Sequence, residues 1–329
     1  MPLNKEMAMH PNACWLALLF LLWGTQVQAV CMASAAAISL GSSNSLSLRT
    51  VPQQAAANGG LSCDSVLNVL SQNYVRVTLS SGSLHLQSGS AQIPFQVYAD
   101  SGYSQALQVA QPVSLNNVVL IGIGGSASAI PLYFRTALGV NVPAGTYTAS
   151  VSLNWQWAIC VLGALGACTS WDRSPGLTQN CPLGVCGTPS NWGTGQTATL
   201  NLTLTVSKAC LINSTPTVDF GSQALVSQFT PVTQSVSVTC TNTEGYRIGY
   251  DNGQHYQAPW RRMLAGSNYL RYNLYHPNST IVWDNASQTQ AATGSGDPQS
   301  FAYQVIIDPT QANVPAATYL DNVSLIISY

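Results

Sequence analysis

Two nearly identical phrases decide the fold of this chain: NVPAGTYTASVSLNWQW at residues 141–157 and NVPAATYLDNVSLIISY at residues 313–329. After the shared tyrosine, apolar side chains alternate with mostly polar ones in both phrases. A period of two places one set of side chains on a buried face and the other set in water, which is typical of a strand in a half-buried sheet. Each phrase therefore predicts a β-strand.

The segments that precede the two phrases also correspond, which indicates a tandem duplication. Cys31 and Cys63 are 32 positions apart, and Cys210 and Cys240 are 30 positions apart. In the first half VRVTLSSG is followed by IPFQVY, and in the second half YRIGYDNG is followed by LRYNLY. Clusters of Gly, Pro and Asn separate these segments, and neither half contains a convincing amphipathic helix. The pattern predicts an all-β protein.

The two halves differ after the shared phrase. In the first half TATLNLTLTV at 197–206 predicts one more strand, whereas the second half ends at Tyr329 without a counterpart. We expect two immunoglobulin-like antiparallel β-sandwiches in tandem, over 30–207 and 208–329, with the second lacking its last strand. Such a sandwich exposes an apolar groove and unpaired backbone groups. The inward residues of its final strand would line that groove: Val323, Leu325, Ile327 and Tyr329.

A groove of this kind is stable when another chain supplies the strand, as in donor-strand complementation. The alternative is that the second domain closes in a different way, with its edge protected by short strands or charges. A subunit that also donates a strand needs a spare segment ahead of its first domain. Because Cys31 lies almost at the predicted mature N-terminus, we expect this chain to receive a strand and not to give one. That would place it at one end of a linear assembly.

The N-terminal residues 1–29 are predicted to be a cleaved secretory signal. Lys5 precedes an apolar stretch that is too short for a comfortable membrane span, and Val27-Gln28-Ala29 provides a small-residue cleavage pattern.

Charged residues make up 6% of the chain and its net charge is −1, so electrostatics gives no case for nucleic acid as a partner. The composition indicates an exported protein with a neutral, polar surface.

Nine cysteines are present, and Cys14 would leave with the signal. In an exported chain the remaining even set is expected to form disulfide bonds. The spacing of the four cysteines between 160 and 186 is poor for a zinc site, so no metal is predicted. Their pairing stays open among three arrangements. The eight cysteines are Cys31, Cys63, Cys160, Cys168, Cys181, Cys186, Cys210 and Cys240.

The second half resembles a known family. CLINSTPTVDFG, YLRYNLY, GSGDP and the closing VPAATYLDNVSLIISY are similar to a spore coat protein U (SCPU) domain, and the first half resembles the same domain more loosely, with an insertion. A two-domain chain of this kind resembles the tip adhesins of archaic (Csu-type) chaperone–usher pili. The resemblance implies attachment and biofilm formation from an extracellular pilus tip, after passage through the periplasm. It also implies three partners: a periplasmic chaperone, an outer-membrane usher and an adjacent pilin that donates a strand.

The resemblance further implies that apolar loops at the far end of the first domain bind a hydrophobic surface. The insertion at 157–193 supplies one candidate, VLGALGA, which is bracketed by two cysteines; a second lies at 118–131, and a weaker third at 51–61. Short glycine-containing apolar loops are poor core elements, although each segment could also be ordinary core. The candidate surface-binding residues are Val161, Leu162, Ala164, Leu165, Leu120, Ile121 and Ile123.

The alternative functions are a lectin, a shaft or coat subunit, and an enzyme. A lectin could use tryptophans near the insertion, but Trp155 and Trp157 fall on the inward side of their strand, which leaves Trp171 and Trp192. A shaft or coat subunit would need a donor segment and would not need two domains. An enzyme is not expected, because no nucleophile elbow, H-E-x-x-H or P-loop occurs and the histidines are isolated. No cofactor is predicted.

Overall fold

The computed structural model describes residues 31–63, 67–69, 73–115, 128–164, 167–182 and 185–329. The predicted signal at 1–29 lies outside these residues. Within them the chain is all-β, with short 3-10 helices at Ser47–Arg49 and Val226–Gln228. Helices in the described segments are thus single turns, and none could cross a membrane. The strands form two separate groups of sheets, one in each half of the chain.

In its described residues the first domain has twelve strands, which form one continuous hydrogen-bonded system. In chain order they are β1 Cys31–Ala33, β2 Ala36–Asn44, β3 Gln54–Cys63, β4 Leu67–Val69, β5 Tyr74–Gly82, β6 His85–Ser88, β7 Ala91–Tyr98, β8 Pro112–Ser114, β9 Ser128–Thr136, β10 Gly145–Ala164, β11 Ala167–Arg173 and β12 Gln196–Ser207.

The first domain closes over its core because β7 pairs with two partners. Its first residues pair with β6, and its last residues pair with β9, so the chain passes from one layer to the other. The long strand β10 lies at the centre of one layer, with β12 antiparallel along one edge and β5 along the other. Strand β12 also pairs in parallel with β2, so both of its edges are used. Leu79, Phe134 and Leu153 are fully buried between the layers.

The second domain has a five-stranded and a three-stranded sheet, in the orders β13-β14-β19-β17-β16 and β18-β15-β20. Its core contains Ile248, Trp283 and Val305. The strands are β13 Cys210–Ser214, β14 Val232–Cys240, β15 Gly245–Tyr250, β16 Arg261–Ala265, β17 Asn268–Tyr275, β18 Gln290–Thr293, β19 Gln299–Ile307 and β20 Leu325–Ser328.

Equivalent contacts in the two domains reflect the duplication. A disulfide joins the paired strands β1 and β3 through Cys31 and Cys63, and another joins β13 and β14 through Cys210 and Cys240. In the shared phrase, the hydroxyl of Tyr147 donates to the Pro143 carbonyl over 2.8 Å. The hydroxyl of Tyr319 donates to the Pro315 carbonyl over 2.9 Å. The predicted all-β fold in two domains is confirmed.

Candidate functional site: an open groove and a hairpin end

The edge of β20 in the second domain differs from the equivalent edge in the first. Strand β20 pairs with β15 on one side and forms the end of its sheet. In the first domain the same edge of β10 is paired with β12, where Leu200 lies opposite Val151 and Ala198 lies opposite Leu153. Among the described residues, the second domain supplies no strand at this place.

The side chains beside this unpaired edge are only half-buried. Val323, Leu325 and Ile327 pack against the core of the second domain but keep part of their surface exposed. Their equivalents in the first domain, which are Val151, Leu153 and Trp155, are each 0% exposed. Both domains therefore have apolar side chains at these positions, and the domains differ in whether a neighbouring strand covers them.

The facing rim of the groove is formed by a segment near the start of the second domain. Phe220-Gly221 corresponds to Leu40-Gly41 of the first domain, where β2 pairs in parallel with β12. Residues 215–224 form no strand, and Val218 and Phe220 are half-buried. We call the region between Val218, Phe220 and the unpaired edge of β20 the groove.

A depression of about 510 Å³ lies beside the last residues of β20, lined by Tyr246, Ala292 and Tyr329 among others. Tyr329 is 61% exposed, whereas its equivalent Trp157 is 1% exposed. The indole nitrogen of Trp157 donates to Asp172 over 2.8 Å, so the insertion covers this end of the first domain. In the described residues no segment covers the equivalent end of the second domain, where the depression is open.

A buried arginine supports the second domain below the groove. Arg261 is 1% exposed and donates to the backbone carbonyls of Asp251, Tyr250 and Trp283 at 2.8, 3.1 and 2.9 Å. Burial lowers the pKa of Arg261, and nearby Tyr272 and carboxylates act in the opposite direction. These carbonyl contacts show that the arginine holds loops together, which the spacing of charged residues in the sequence did not indicate.

At the other end of the molecule, β10 and β11 form a hairpin that reaches away from the second domain. Strand β10 has 20 residues, and at about 3.3 Å per residue it extends about 60 Å. Its beginning is near the second domain, because the side-chain amide of Asn141 donates to the Ser295 carbonyl. A disulfide between Cys160 and Cys168 closes the hairpin. We call residues 160–168 the hairpin end.

A segment that the sequence reasoning missed also lies at the hairpin end. Strand β4 pairs in parallel with β10, with Leu67 opposite Leu162 and Val69 opposite Ala164. The side-chain oxygen of Asn73 accepts a hydrogen bond from the backbone N–H of Cys160 over 3.0 Å. The apolar sequence VLNVL at 66–70 could have suggested this role, but its pairing partner is more than 90 residues away along the chain.

Three of the seven predicted surface-binding residues are described, and all three lie in the β10–β11 hairpin. Val161 is half-buried in β10, and the backbone of Leu162 pairs with Ser170 of β11. Ala164 pairs with Ala167 at the turn of the hairpin. Leu165 lies outside the described residues, and so do three residues of the second candidate segment: Leu120, Ile121 and Ile123.

Only residues 128–131 of the second candidate segment are described. Its last residues enter β9, where Ile130 is buried, and Ser128 lies opposite Cys63. Cys63 is bonded to Cys31, whose backbone N–H donates to Asp172 of β11 over 2.8 Å. The segment therefore ends close to the hairpin. By contrast, 54–61 of the third candidate segment belongs to the core strand β3.

The tryptophans considered for sugar binding are engaged within the protein. Trp155 and Trp157 are core residues, as their parity predicted. Tyr74 stacks on Trp171 with ring centroids 6.3 Å apart, and the guanidinium of Arg76 lies 4.3 Å from the ring centre of Trp192. Each of the two outer indoles thus has a face covered by a neighbouring side chain. No observation favours a sugar site here.

The remaining insertion cysteines pair locally, since Cys181 is bonded to Cys186. The guanidinium of Arg173 lies 3.7 Å from both sulfur atoms and also donates to the Gln179 side chain. The insertion is therefore held by two short disulfide loops rather than by cross-braces. In the part of the chain that the structure describes, no three His, Cys, Asp or Glu side chains are grouped as metal ligands.

Comparison with known families identifies the chain. A family model described as the Spore Coat Protein U domain matches residues 17–154 and 196–325. The chain belongs to this family. The two matched segments correspond to the two copies seen in the sequence and in the fold, and the family assignment agrees with a protein that is not an enzyme. No curated protein sequence matches the chain.

This SCPU-domain chain is also similar to solved structures. One is described as the CsuC–CsuE chaperone–tip adhesion subunit pre-assembly complex from archaic chaperone–usher Csu pili of Acinetobacter baumannii. The match has a TM-score of 0.64 and 21% identity, and covers 91% of this chain and 100% of that chain. The CupB6 tip adhesin from Pseudomonas aeruginosa matches with a TM-score of 0.32 and 14% identity, covering 92% of this chain and 95% of that chain. The first match shows a shared two-domain fold.

Proposed function

We propose that this chain is the tip adhesin of a chaperone–usher pilus. A neighbouring subunit fills the groove with a strand, and the hairpin end of the first domain binds apolar surfaces, which supports attachment and biofilm formation. The observation that carries the proposal is the unpaired edge of β20 beside half-buried Val323, Leu325 and Ile327. The first domain fills the same place with its own β12.

Strand β12 serves as a template for the occupant of the groove. It runs antiparallel to β10 and parallel to β2, and its inward residues are apolar: Ala198, Leu200, Leu202, Leu204 and Val206. An extended donor segment with the same alternation would hydrogen-bond to β20 on one side and to 215–224 on the other. Each large apolar side chain buried in this way contributes about 2 kcal/mol before ordering costs.

The remaining partners are inferred from the exposed groove. An unpaired, apolar strand edge promotes aggregation, so we expect a periplasmic chaperone to cover it before assembly and an outer-membrane usher to exchange the chaperone for an adjacent pilin. The structurally similar tip subunit of Acinetobacter baumannii is described in complex with a chaperone. Four disulfide bonds fit an oxidising, exported location. The assembled chain would be extracellular, at the pilus tip.

Adhesion through the hairpin end requires little specific chemistry. Burying roughly 300 Å² of apolar surface at about 25 cal/mol per Å² gives about 7 kcal/mol before association costs. One tip would bind weakly, and many pili on one cell would bind firmly. The Cys160–Cys168 disulfide and the pairing with β4 would hold the hairpin end in shape without a core of its own.

The groove can be tested by giving the second domain a strand of its own. We would add the sequence of Gln196–Ser207 after Tyr329 through a short flexible linker. A matched control would carry the same addition with aspartate at the positions of Leu200, Leu202 and Leu204. We expect only the apolar addition to prevent aggregation and to slow amide hydrogen exchange of β20. Equal behaviour of both additions would show that the groove is not a strand site.

Surface binding can be tested separately, on the chain that carries the added apolar strand after Tyr329, which we call the grafted chain. Leu162→Asp with Leu165→Asp should abolish retention on polystyrene. The control is Val109→Asp with Leu138→Asp, two residues that are each 54% exposed away from the hairpin end; it should bind as the parent does. Retention that survives the first pair of changes would remove the hairpin end from the proposal, and competition by free sugars would indicate a lectin instead.

A further inference from the structure

The connection between the two domains is short and tightly hydrogen-bonded. Strand β12 ends at Ser207 and β13 begins at Cys210, so the linker is Lys208 and Ala209. The backbone N–H of Ala209 donates to the Thr241 hydroxyl over 2.8 Å. The carbonyl of Ala209 accepts from the backbone N–H of Thr241 over 2.9 Å. A linker bonded in this way cannot rotate without breaking these hydrogen bonds.

Thr241 also connects the linker to the first domain. Its hydroxyl lies 2.6 Å from the hydroxyl of Ser45, and both residues are buried, at 1% and 3% exposure. The Thr241 hydroxyl accepts from Ala209 N–H and donates to the Ala209 carbonyl over 3.1 Å. Either hydroxyl can be the donor in the contact between Ser45 and Thr241. The Thr241 hydroxyl thus contacts both the linker and the first domain.

Further polar contacts surround this buried centre. Ser45 also donates its backbone N–H to the Ser207 carbonyl over 3.1 Å. On one side, Arg49 forms an ion pair with Asp297 at 2.9 Å. Asn141 donates to the Ser295 carbonyl at 2.9 Å. At the linker, Lys208 pairs with Glu244 at 2.8 Å.

At the edge of the contact between the domains, Gly296 packs tightly against the side chain of Asn141. Gly296 has a φ of 76°, which favours glycine, and a Cβ atom there would overlap the side chain of Asn141. The guanidinium of Arg49 also donates to the Gly296 carbonyl. The side chains of Asn141 and Arg49 thus pack directly against the backbone of the second domain at this point.

We propose that these contacts join the two domains into one rigid body, with Ser45 and Thr241 as the joint. Polar interfaces between domains ordinarily permit relative motion, and exposed ion pairs contribute little and are weakened by salt. Here the buried centre is a set of neutral hydrogen bonds, which salt does not screen. The joint therefore keeps the hairpin end in a fixed direction relative to the second domain. This inference does not depend on the adhesin function.

Backbone amide NMR relaxation of the full chain carrying the grafted strand tests the joint. In the parent chain, amides of both domains should report one shared rotational correlation time, at low and at raised salt. Ser45→Ala removes the cross-domain hydroxyl contact. Combined with Arg49→Ala and Asn141→Ala, it should split the correlation times into two shorter values. Thr241→Val, again combined with Arg49→Ala and Asn141→Ala, should have the same effect, and Thr241→Ser in place of Thr241→Val should restore the shared value.

The matched control is Thr136→Val, because Thr136 is 3% exposed and its hydroxyl accepts a hydrogen bond from Gln53 within the first domain. This variant should keep a single correlation time. Two correlation times in the parent chain would overturn the proposal. A single value that persists in the triple variant would also overturn it, because the rigidity would then arise elsewhere.

Discussion

The phrase at 141–157, which enters β10, and the phrase at 313–329, which contains β20, are similar in sequence but are buried to different degrees. Both keep the hydrogen bond from the shared tyrosine to the carbonyl four residues earlier. Val151 is 0% exposed beside β12, while Val323 at the equivalent position is half-buried beside an open groove. The comparison shows that the alternating pattern prepares an apolar face, and that the neighbouring strand decides whether this face is covered.

The largest expected difference is in the solubility of the isolated domains. Residues 31–208 should fold as a soluble monomer when expressed in an oxidising compartment, because β12 completes the first sandwich. Residues 208–329 should aggregate, because the edge of β20 is unpaired. Size-exclusion chromatography of the two fragments measures this. A monomeric, stable 208–329 fragment would show that the two domains are complete to the same degree.

The same substitution at equivalent positions should give unequal costs. Val151→Asp places a carboxylate in a fully buried site and should reduce the free energy of unfolding by about 4 kcal/mol. Val323→Asp should cost only about 1 kcal/mol in the chain without the graft, because Val323 is partly exposed there. In the grafted chain, where the added strand would cover Val323, the same change should cost about 4 kcal/mol. Calorimetry of the three variants and their two parents, with and without the graft, gives these values. Equal costs with and without the graft would mean that the strand does not cover Val323.

The shared tyrosine allows a smaller test of the same contrast. Tyr147→Phe removes the donor of a part-buried hydrogen bond to the Pro143 carbonyl, made by a fully buried side chain, and should cost about 1.5 kcal/mol. Tyr319→Phe should cost about 0.5 kcal/mol, because this hydrogen bond is exposed and water can replace the lost hydroxyl as the donor to the Pro315 carbonyl. Urea unfolding with tryptophan fluorescence measures both. A larger effect at Tyr319 would indicate that this corner stabilises the second domain despite its exposure.

The smallest expected effect concerns pH. Burial raises the pKa of Asp251, but the backbone N–H groups of Ser324 and Gly253 donate to its carboxylate, and the net pKa is lowered. Stability from this group is therefore present above about pH 4 and is lost as pH falls through the folded pKa. The first domain has Ser80 at this position, whose hydroxyl donates to the Ser152 carbonyl, so it lacks this dependence.

Hydrogen exchange of β20 amides in the grafted chain checks the pH prediction. In the parent, protection should decrease as the pH falls below about 4. Asp251→Asn, which retains an acceptor oxygen, should remove most of that decrease, and the control Ser80→Ala should leave it unchanged. If Asp251→Asn has the same pH profile as the parent, another carboxylate is responsible.

Local sequence patterns were sufficient for the fold class and for the duplication. A period of two specifies which side chains of β10, β12 and β20 face inward, because successive residues in a strand point to opposite sides. The core positions of Trp155 and Trp157 were predicted from that parity. The family resemblance was also readable from the sequence and is confirmed by the matched residues.

Contacts between distant segments were decided by the tertiary structure. The pairing of β4 with the end of β10 and the Ser45–Thr241 joint each depend on where separate parts of the chain meet. The structure also decided among the three possible pairings of the insertion cysteines, in favour of Cys160–Cys168 and Cys181–Cys186. Alternation within one strand specifies which face is apolar, but it contains no information about the strand, loop or domain that covers that face. The sequence by itself determined the strands and their apolar faces, and only the folded molecule decided which neighbour each face and edge received.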